Sequence, residues 1–337
     1  MTVEPTPWTY SPVPAAAEKL FRMCWQLENW LRTILYVELR AGRTDWETPI
    51  RSTVRSLPPS SLTNDKRLHH MATPHQAALS YLTFGQLWDV ISTDDTWKLF
   101  EPYFPPKDNV QVKIAEVKAI RNRTAHFREP HCRDVARLEL FMSDLEHGIR
   151  KFCNRYTQEK TPANAERDPV VTTIKDMWEQ EGYAIELMLP IGWLYAPGYY
   201  RARPLMNGRL AILTHDNYSP DNPEGVLYRI TVQRGNVDRH SNTVQLFNLT
   251  KQIHQDIVHF GIRSFGDEAW ITIPAVLGVE KTATLACTFL SAGLQACCSD
   301  TPSIGTERSR WPEYVLWPDH MLNIFSDDIQ DAILAIK

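Results

Sequence analysis

No apolar run in this 337-residue chain is long enough to span a bilayer. The opening stretch, MTVEPTPWTYSPVPAAAEKLF, lacks a basic segment followed by an apolar one, so no signal peptide is expected. Residues 1–14 read instead as a proline-punctuated arm. The six cysteines, at 24, 132, 153, 287, 297 and 298, form no C-x-x-C pair and no framework spacing. Cys297 and Cys298 are adjacent, an unfavourable geometry for a simple bridge. Reduced thiols and a cytoplasmic location are the expectation. A net charge of −4 gives no global basic field, so any nucleic-acid partner must be held by a local patch. There is no internal repeat and no Gly-rich phosphate loop, and no cofactor is expected.

Hydrophobic periodicity then organises what is present. In AAAEKLFRMCWQLENWLRTILYVELRAG, Leu20, Met23, Cys24, Leu27, Leu31, Ile34 and Leu35 recur at three- and four-residue steps, and Gly42 is a natural helix stop. A Ser- and Pro-rich stretch follows, with PPSSLTND as its turn signal. TFGQLWDVI reads as a helix capped by Thr83, and its glycine as a point of close helix packing. A third helix is expected from about Asn109 through VQVKIAEVKAIRN. A fourth spans CRDVARLELFMSDLEHGIRKFCNRY, with Leu138, Phe141, Leu145, Ile149 and Phe152 as one stripe. Such stripes bury best in a bundle.

TQEKTPANAERDP, residues 157–169, has almost no large apolar side chain and reads as a linker. Beyond it a helix, VVTTIKDMWEQEGY, precedes strand-like segments. Asn207-Gly208 predicts a hairpin turn. GVLYRITVQR, NTVQLFNLT and EAWITIPAVLGV read as strands, and SDDIQDAILAIK as a closing helix. The expected architecture is a multidomain α and α+β chain: a helical bundle over 15–156, a linker over 157–169 and an α+β domain over 170–337.

The segment AIRNRTAHFREPH, residues 119–131, is too polar for core and too basic for an ordinary helix face. Arg121 offers a fixed charge with a planar donor fork suited to phosphate oxygens. His126 brings the residue type best suited to moving a proton near neutral pH. Asn122 can both donate and accept, and Arg123 adds a second guanidinium. On an unbroken helix a five-residue step rotates by about 140°, so Arg121 and His126 would not share a face. Either the helix unwinds near Thr124, or each group meets its counterpart across a symmetric interface.

Arg121-Asn122 followed by His126, between an amphipathic helix and a long final one, resembles the Arg-x(4–6)-His motif of the HEPN superfamily. ENWLRTIL and YLTFGQLWDVI add likeness to its abortive-infection branch. The resemblance covers roughly residues 15–156 and implies a homodimer whose two motifs line one cleft. It implies metal-independent endoribonuclease activity on RNA, with Arg121 and His126 catalytic and Asn122 and Arg123 supporting. His126 would take the proton of a ribose 2′-OH, and Arg121 would stabilise the phosphorane. The products would be a 2′,3′-cyclic phosphate and a 5′-hydroxyl. It further implies a toxin or antiviral defence role, with an inhibitory or activating partner such as an antitoxin.

Alternatives stand beside this reading. Arg121, Arg123 and His126 could simply serve a helix C-terminus, where basic groups favour the last carbonyls. The bundle could be a non-catalytic dimerisation or scaffold module, or a nucleotide-binding regulator. His126 separates enzyme from scaffold: solvent-reachable and facing a groove shared with the second protomer's Arg121 in the one, packed or capped within one protomer in the other. Glu116, Lys118 and Glu28 could tune the cleft, though such residues commonly form a solvated face. His69, His70 and His75 lack acidic or thiol neighbours, so no metal is expected there. His254 and His259 are five apart and diverge on a helix, and His131-Cys132 reads as a helix entry. The stretch WLYAPGYYRARP, residues 193–204, suits either base stacking or a core edge.

Overall fold

The computed structural model describes residues 13–54, 60–65, 67–68, 78–157, 167–180, 184–188, 191–195, 206–213, 221–234, 241–262, 268–297 and 315–316. The described chain is helical in its first half and α+β in its second. By contacts it divides into two compact units, one of residues 1–35 with 82–149, the other of 36–81 with 150–337. Both units are therefore discontinuous in sequence, because two long helices contribute to each.

Helices α1 (Ala15–Gly42), α2 (Thr48–Thr53) and α3 (Ser60–Asp65) come first, followed by α4 (Phe84–Ile91) and α5 (Trp97–Phe100). Then come α6 (Lys107–Ala125) and α7 (Asp134–Thr157). The expected stripe of α1 is the one buried: Leu20, Met23, Cys24, Leu27, Leu31, Ile34 and Leu35 are all inside. The start of α4 follows from its sequence. Thr83 Oγ1 accepts from the Gln86 backbone N–H, and the Thr83 N–H donates to Gln86 Oε1 at 2.9 Å, completing a capping box. Trp88 of α4 stacks edgewise on Trp97 and Phe104, and its indole N–H donates to Gln111 Oε1 of α6 at 2.8 Å.

Helix α6 buries Val110, Ile114, Val117 and Ile120, a stripe with steps of three and four residues. The stripe of α7 is buried throughout its expected length, from Leu138 to Phe152. Gly148 lets α7 approach the Glu101–Tyr103 turn, since a Cβ there would lie 1.8 Å from the Tyr103 carbonyl oxygen. Gly85 likewise lies under the aliphatic stem of Lys118, 3.1 Å from a Cβ built there. The glycine of TFGQL thus faces a flexible side chain and not the backbone of another helix.

The second unit is built on helices α8 (Pro169–Gln180), α9 (Ser241–Leu249) and α10 (Val279–Cys297) and on strands β1 (Ala184–Met188), β2 (Ile191–Tyr195), β3 (Met206–Leu213), β4 (Leu227–Arg234), β5 (His259–Ile262), β6 (Glu268–Pro274) and β7 (Val315–Leu316). The strands form one sheet in the order β1-β2-β3-β4-β6-β5-β7. All pairings are antiparallel except β5 with β7. Its core joins Val170 and Ile174 of α8, Ile230 of β4, Phe260 of β5, Ile271 of β6 and Phe289 of α10. Asp168 starts α8 by accepting the Val170 and Val171 N–H groups, and the Tyr228 hydroxyl of β4 donates to its other oxygen at 2.7 Å. Glu38 and Arg155 form a bidentate ion pair at 2.8 and 2.9 Å with both side chains at most 3% exposed.

Two expected elements are replaced. Asn207-Gly208 is not a turn: both residues lie inside β3, paired with Tyr195 and Leu194 on one side and Gln233 and Val232 on the other. Pairing along both edges overrides the local turn preference. NTVQLFNLT is not a strand but lies in α9, where Leu246 and Phe247 enter the core. The Thr250 hydroxyl donates to the Leu246 carbonyl at 2.8 Å, closing that helix. SDDIQDAILAIK and residues 158–166 of the expected linker fall outside the described residues, as do His69, His70 and His75 and the side chains of 193–204.

Candidate functional site

The RNRTAH segment is the last turn and a half of α6. The helix does not unwind near Thr124: it continues through Ala125, with His126 as its C-cap. The Thr124 hydroxyl donates back to the Ile120 carbonyl at 3.0 Å. Of the two ways foreseen for Arg121 and His126 to cooperate, unwinding is therefore excluded. The two side chains leave the helix about 140° apart, with about 7.5 Å of axial rise between them.

Arg121 is held from α1. Its Nε donates to Glu28 Oε1 at 2.7 Å, while Glu28 Oε2 accepts from Arg32 Nη2 at 2.6 Å. One buried carboxylate thus faces two guanidiniums, leaving this group with a net charge of +1. Arg32 is itself fixed by donating to the Leu82 carbonyl at 3.2 Å. The planar fork of Arg121 is oriented through Nε and is one quarter exposed, so its terminal nitrogens remain on offer. Glu28, noted in the sequence as a group able to approach the motif, is the residue that positions Arg121. Glu116 instead pairs with Arg137, and Lys118 with Asp89.

Cys24, one turn before Glu28, hydrogen-bonds with Thr124. Burial first, and then the Glu28 charge, push its thiol up to about 11. It is a packing residue and a poor nucleophile. Cys24, Cys132, Cys153 and Cys287 form no disulfide among the described residues, and burial raises the Cys153 thiol to about 12.

Arg123 has a different task. Its Nε and Nη2 form three contacts of 2.7–3.0 Å with both oxygens of Asp134, which is buried at the start of α7. Asp134 also accepts the His131 backbone N–H at 3.0 Å. This ties the end of α6 to the start of α7 and fixes the intervening turn. His126 and Asn122 are both exposed. Among the described residues, the His126 imidazole has no hydrogen-bond or ion-pair partner. His131 lies against Cys132 and the Arg133 backbone, a local helix entry as expected.

The turn after His126 holds a residue that sequence reasoning missed. The Phe127 N–H donates to the Thr124 carbonyl at 3.1 Å and the Arg128 N–H to the Arg123 carbonyl at 3.0 Å. These are the paired bonds of a Schellman helix stop, whose C′ residue must be left-handed. That residue is Phe127, with φ +53°, a conformation that costs an L side chain about 1–2 kcal/mol relative to glycine. Its ring is 94% exposed. The available signal was a helix ending at AHFREP with no glycine or asparagine to take the stop.

Among the described residues there is no cluster of three His, Cys, Asp or Glu side chains able to hold a metal, and no helix long and apolar enough to cross a membrane. His254 and His259 lie in the second unit, each pressed downward by burial, to about 4 and about 3. No known protein family, curated protein or solved structure matches this chain.

Proposed function

We propose that this chain is an endoribonuclease of HEPN type that cleaves RNA by 2′-OH attack, at a site to which two copies contribute Arg121 and His126. The observation that carries the reading is the contrast between the two side chains. Arg121 is pre-oriented by a buried carboxylate, whereas His126, one and a half turns on, is exposed and unpartnered among the described residues. The scaffold reading expects the imidazole packed or capped within one protomer, whereas an exposed one is available to a proton-transfer step.

In the proposed reaction the His126 imidazole of one copy takes the 2′-OH proton, and the 2′ oxygen attacks the adjacent phosphorus. The 5′ oxygen leaves with the proton that His126 had accepted, giving the 5′-hydroxyl, and the phosphate ends as a 2′,3′-cyclic diester. Arg121 donates to the non-bridging oxygens as negative charge gathers there. Base, proton and charge stabilisation all come from side chains of this chain. The wide angular separation of the two groups on one helix supports a contribution from a second copy. Asn122, exposed between them, positions the phosphate. Arg123 holds the turn through Asp134. A toxin or antiviral defence role, restrained by a partner, is the biological setting of this proposal.

One observation favours a second reading, a non-catalytic dimerisation module: the charge of Arg121 is already engaged by Glu28. Mixing Arg121→Ala and His126→Ala proteins separates the two. If the site is composite, each variant alone is inactive on RNA and the mixture regains part of the wild-type rate as mixed dimers form. No activity in the wild type under conditions where it dimerises favours the module.

A further inference from the structure

The turn that ends α6 keeps Phe127 where folding alone would choose glycine. The residue occupies the left-handed position of the helix stop at φ +53°, and its ring is 94% exposed. It therefore contributes neither backbone ease nor core burial. A strained, solvent-facing aromatic beside a candidate proton-transfer group is the kind of outlier from which a role can be inferred.

The surroundings indicate what the ring meets. Residues 126–133 are surface-exposed apart from Pro130. Among the described residues, the guanidiniums of Arg128 and Arg133 have no ion-pair partner, unlike those of Arg121 and Arg123. A protein-docking patch would be contiguous and apolar. In the chain the exposed ring lies between His126 and Arg128, with His131 and Arg133 four and six residues on, all of them exposed. An exposed aromatic with exposed guanidiniums close to it in the chain has the chemistry that stacks a nucleobase and holds its phosphates.

We infer that Phe127 stacks on an unpaired base next to the cleaved phosphate, making the site selective for single-stranded RNA. The inference rests on the ribonuclease reading for its substrate, yet it concerns binding and is tested without cleavage. In a duplex both faces of each base are covered, so the ring would gain nothing there.

The test measures fluorescence anisotropy of a labelled, mixed-sequence, single-stranded 2′-O-methyl RNA, which cannot be cut, and of the same strand in a duplex. Wild type, Phe127→Gly, Phe127→Trp and His126→Ala are compared, each with its thermal midpoint and its oligomeric state. Expected are a loss of single-strand affinity of about tenfold in Phe127→Gly, comparable to one lost stacked base, and recovery in Phe127→Trp. Duplex affinity stays unchanged, and the glycine variant melts higher because its backbone is relaxed. Equal single-strand affinity in wild type and Phe127→Gly overturns the inference. So does absence of single-strand binding in the wild type, or a binding loss that merely follows dissociation into monomers. Ring-dependent binding without any RNA cleavage would leave the stacking role standing and remove the ribonuclease reading. Cleavage with ring-independent binding would do the reverse.

Discussion

The Arg123–Asp134 pair decides whether Arg123 belongs to the chemistry or to the frame around it. Replacing Asp134 with Ala removes three charge-assisted contacts to Arg123 and the acceptor of the His131 N–H. Exposed ion pairs contribute about 0.2–1 kcal/mol, and breaking a buried one costs about 3–5 kcal/mol. Asp134 is 1% exposed and Arg123 34%, so this pair falls between those cases. A coupling of about 2 kcal/mol is expected from a double-mutant cycle of Arg123→Ala and Asp134→Ala. With a urea slope of about 1–3 kcal/mol/M, Asp134→Ala alone should lower the midpoint by about 1 M. Activity of Arg123→Ala should fall with its stability and recover on cooling, whereas loss in Arg121→Ala should not. A coupling below about 0.5 kcal/mol would refute the structural role of Arg123 and return its guanidinium to the phosphate.

Three further perturbations follow from the packing. Gly148→Ala places a methyl group against the Tyr103 carbonyl, so α7 must shift, with a loss of about 3 kcal/mol in urea unfolding; an unchanged midpoint would contradict the close approach. Glu38→Ala leaves the Arg155 guanidinium buried without its carboxylate and should cost about 3–5 kcal/mol, while a loss under 1 kcal/mol would show the pair to be solvated. Acid should destabilise the fold through His254 and His259. His259 is held at about 3 by burial and the neighbouring Arg229 and Arg40 charges, and His254 at about 4 by burial and Lys251. The folded forms stay neutral while the unfolded chain takes up protons below about pH 6.5, so their contribution is present above that pH and is lost as pH falls toward 3. Between pH 7.5 and 5 this amounts to about 2 kcal/mol for each residue, half of it removed by His254→Gln; stability that is flat or rising on acidification would contradict it.

What the sequence made legible is what local pattern controls. The α1 stripe ending at Gly42, the Thr83–Gln86 cap and the α7 stripe all depend on residues near one another in the chain. What it hid depends on partners far away. Asn207-Gly208 has strong turn chemistry, yet strands on both sides hold it straight. The β-branched alternation of residues 242–250 yielded to a helix whose Leu246 and Phe247 fill the core. Glu28 lies 93 positions before the arginine it orients, and no spacing within RNRTAH points to it. The motif, and Glu28 as a group able to approach it, were visible in sequence, whereas the Glu28–Arg121 contact and the strained Phe127 were visible only in three dimensions.

The most direct measurement is cleavage of total RNA in EDTA by wild type, Arg121→Ala and His126→Ala, with the product ends identified. The account predicts 2′,3′-cyclic phosphate and 5′-hydroxyl ends from the wild type, a loss of at least a hundredfold in His126→Ala, and intact DNA. Cleavage by both folded variants at the wild-type rate, or products bearing 5′-phosphates, would contradict it.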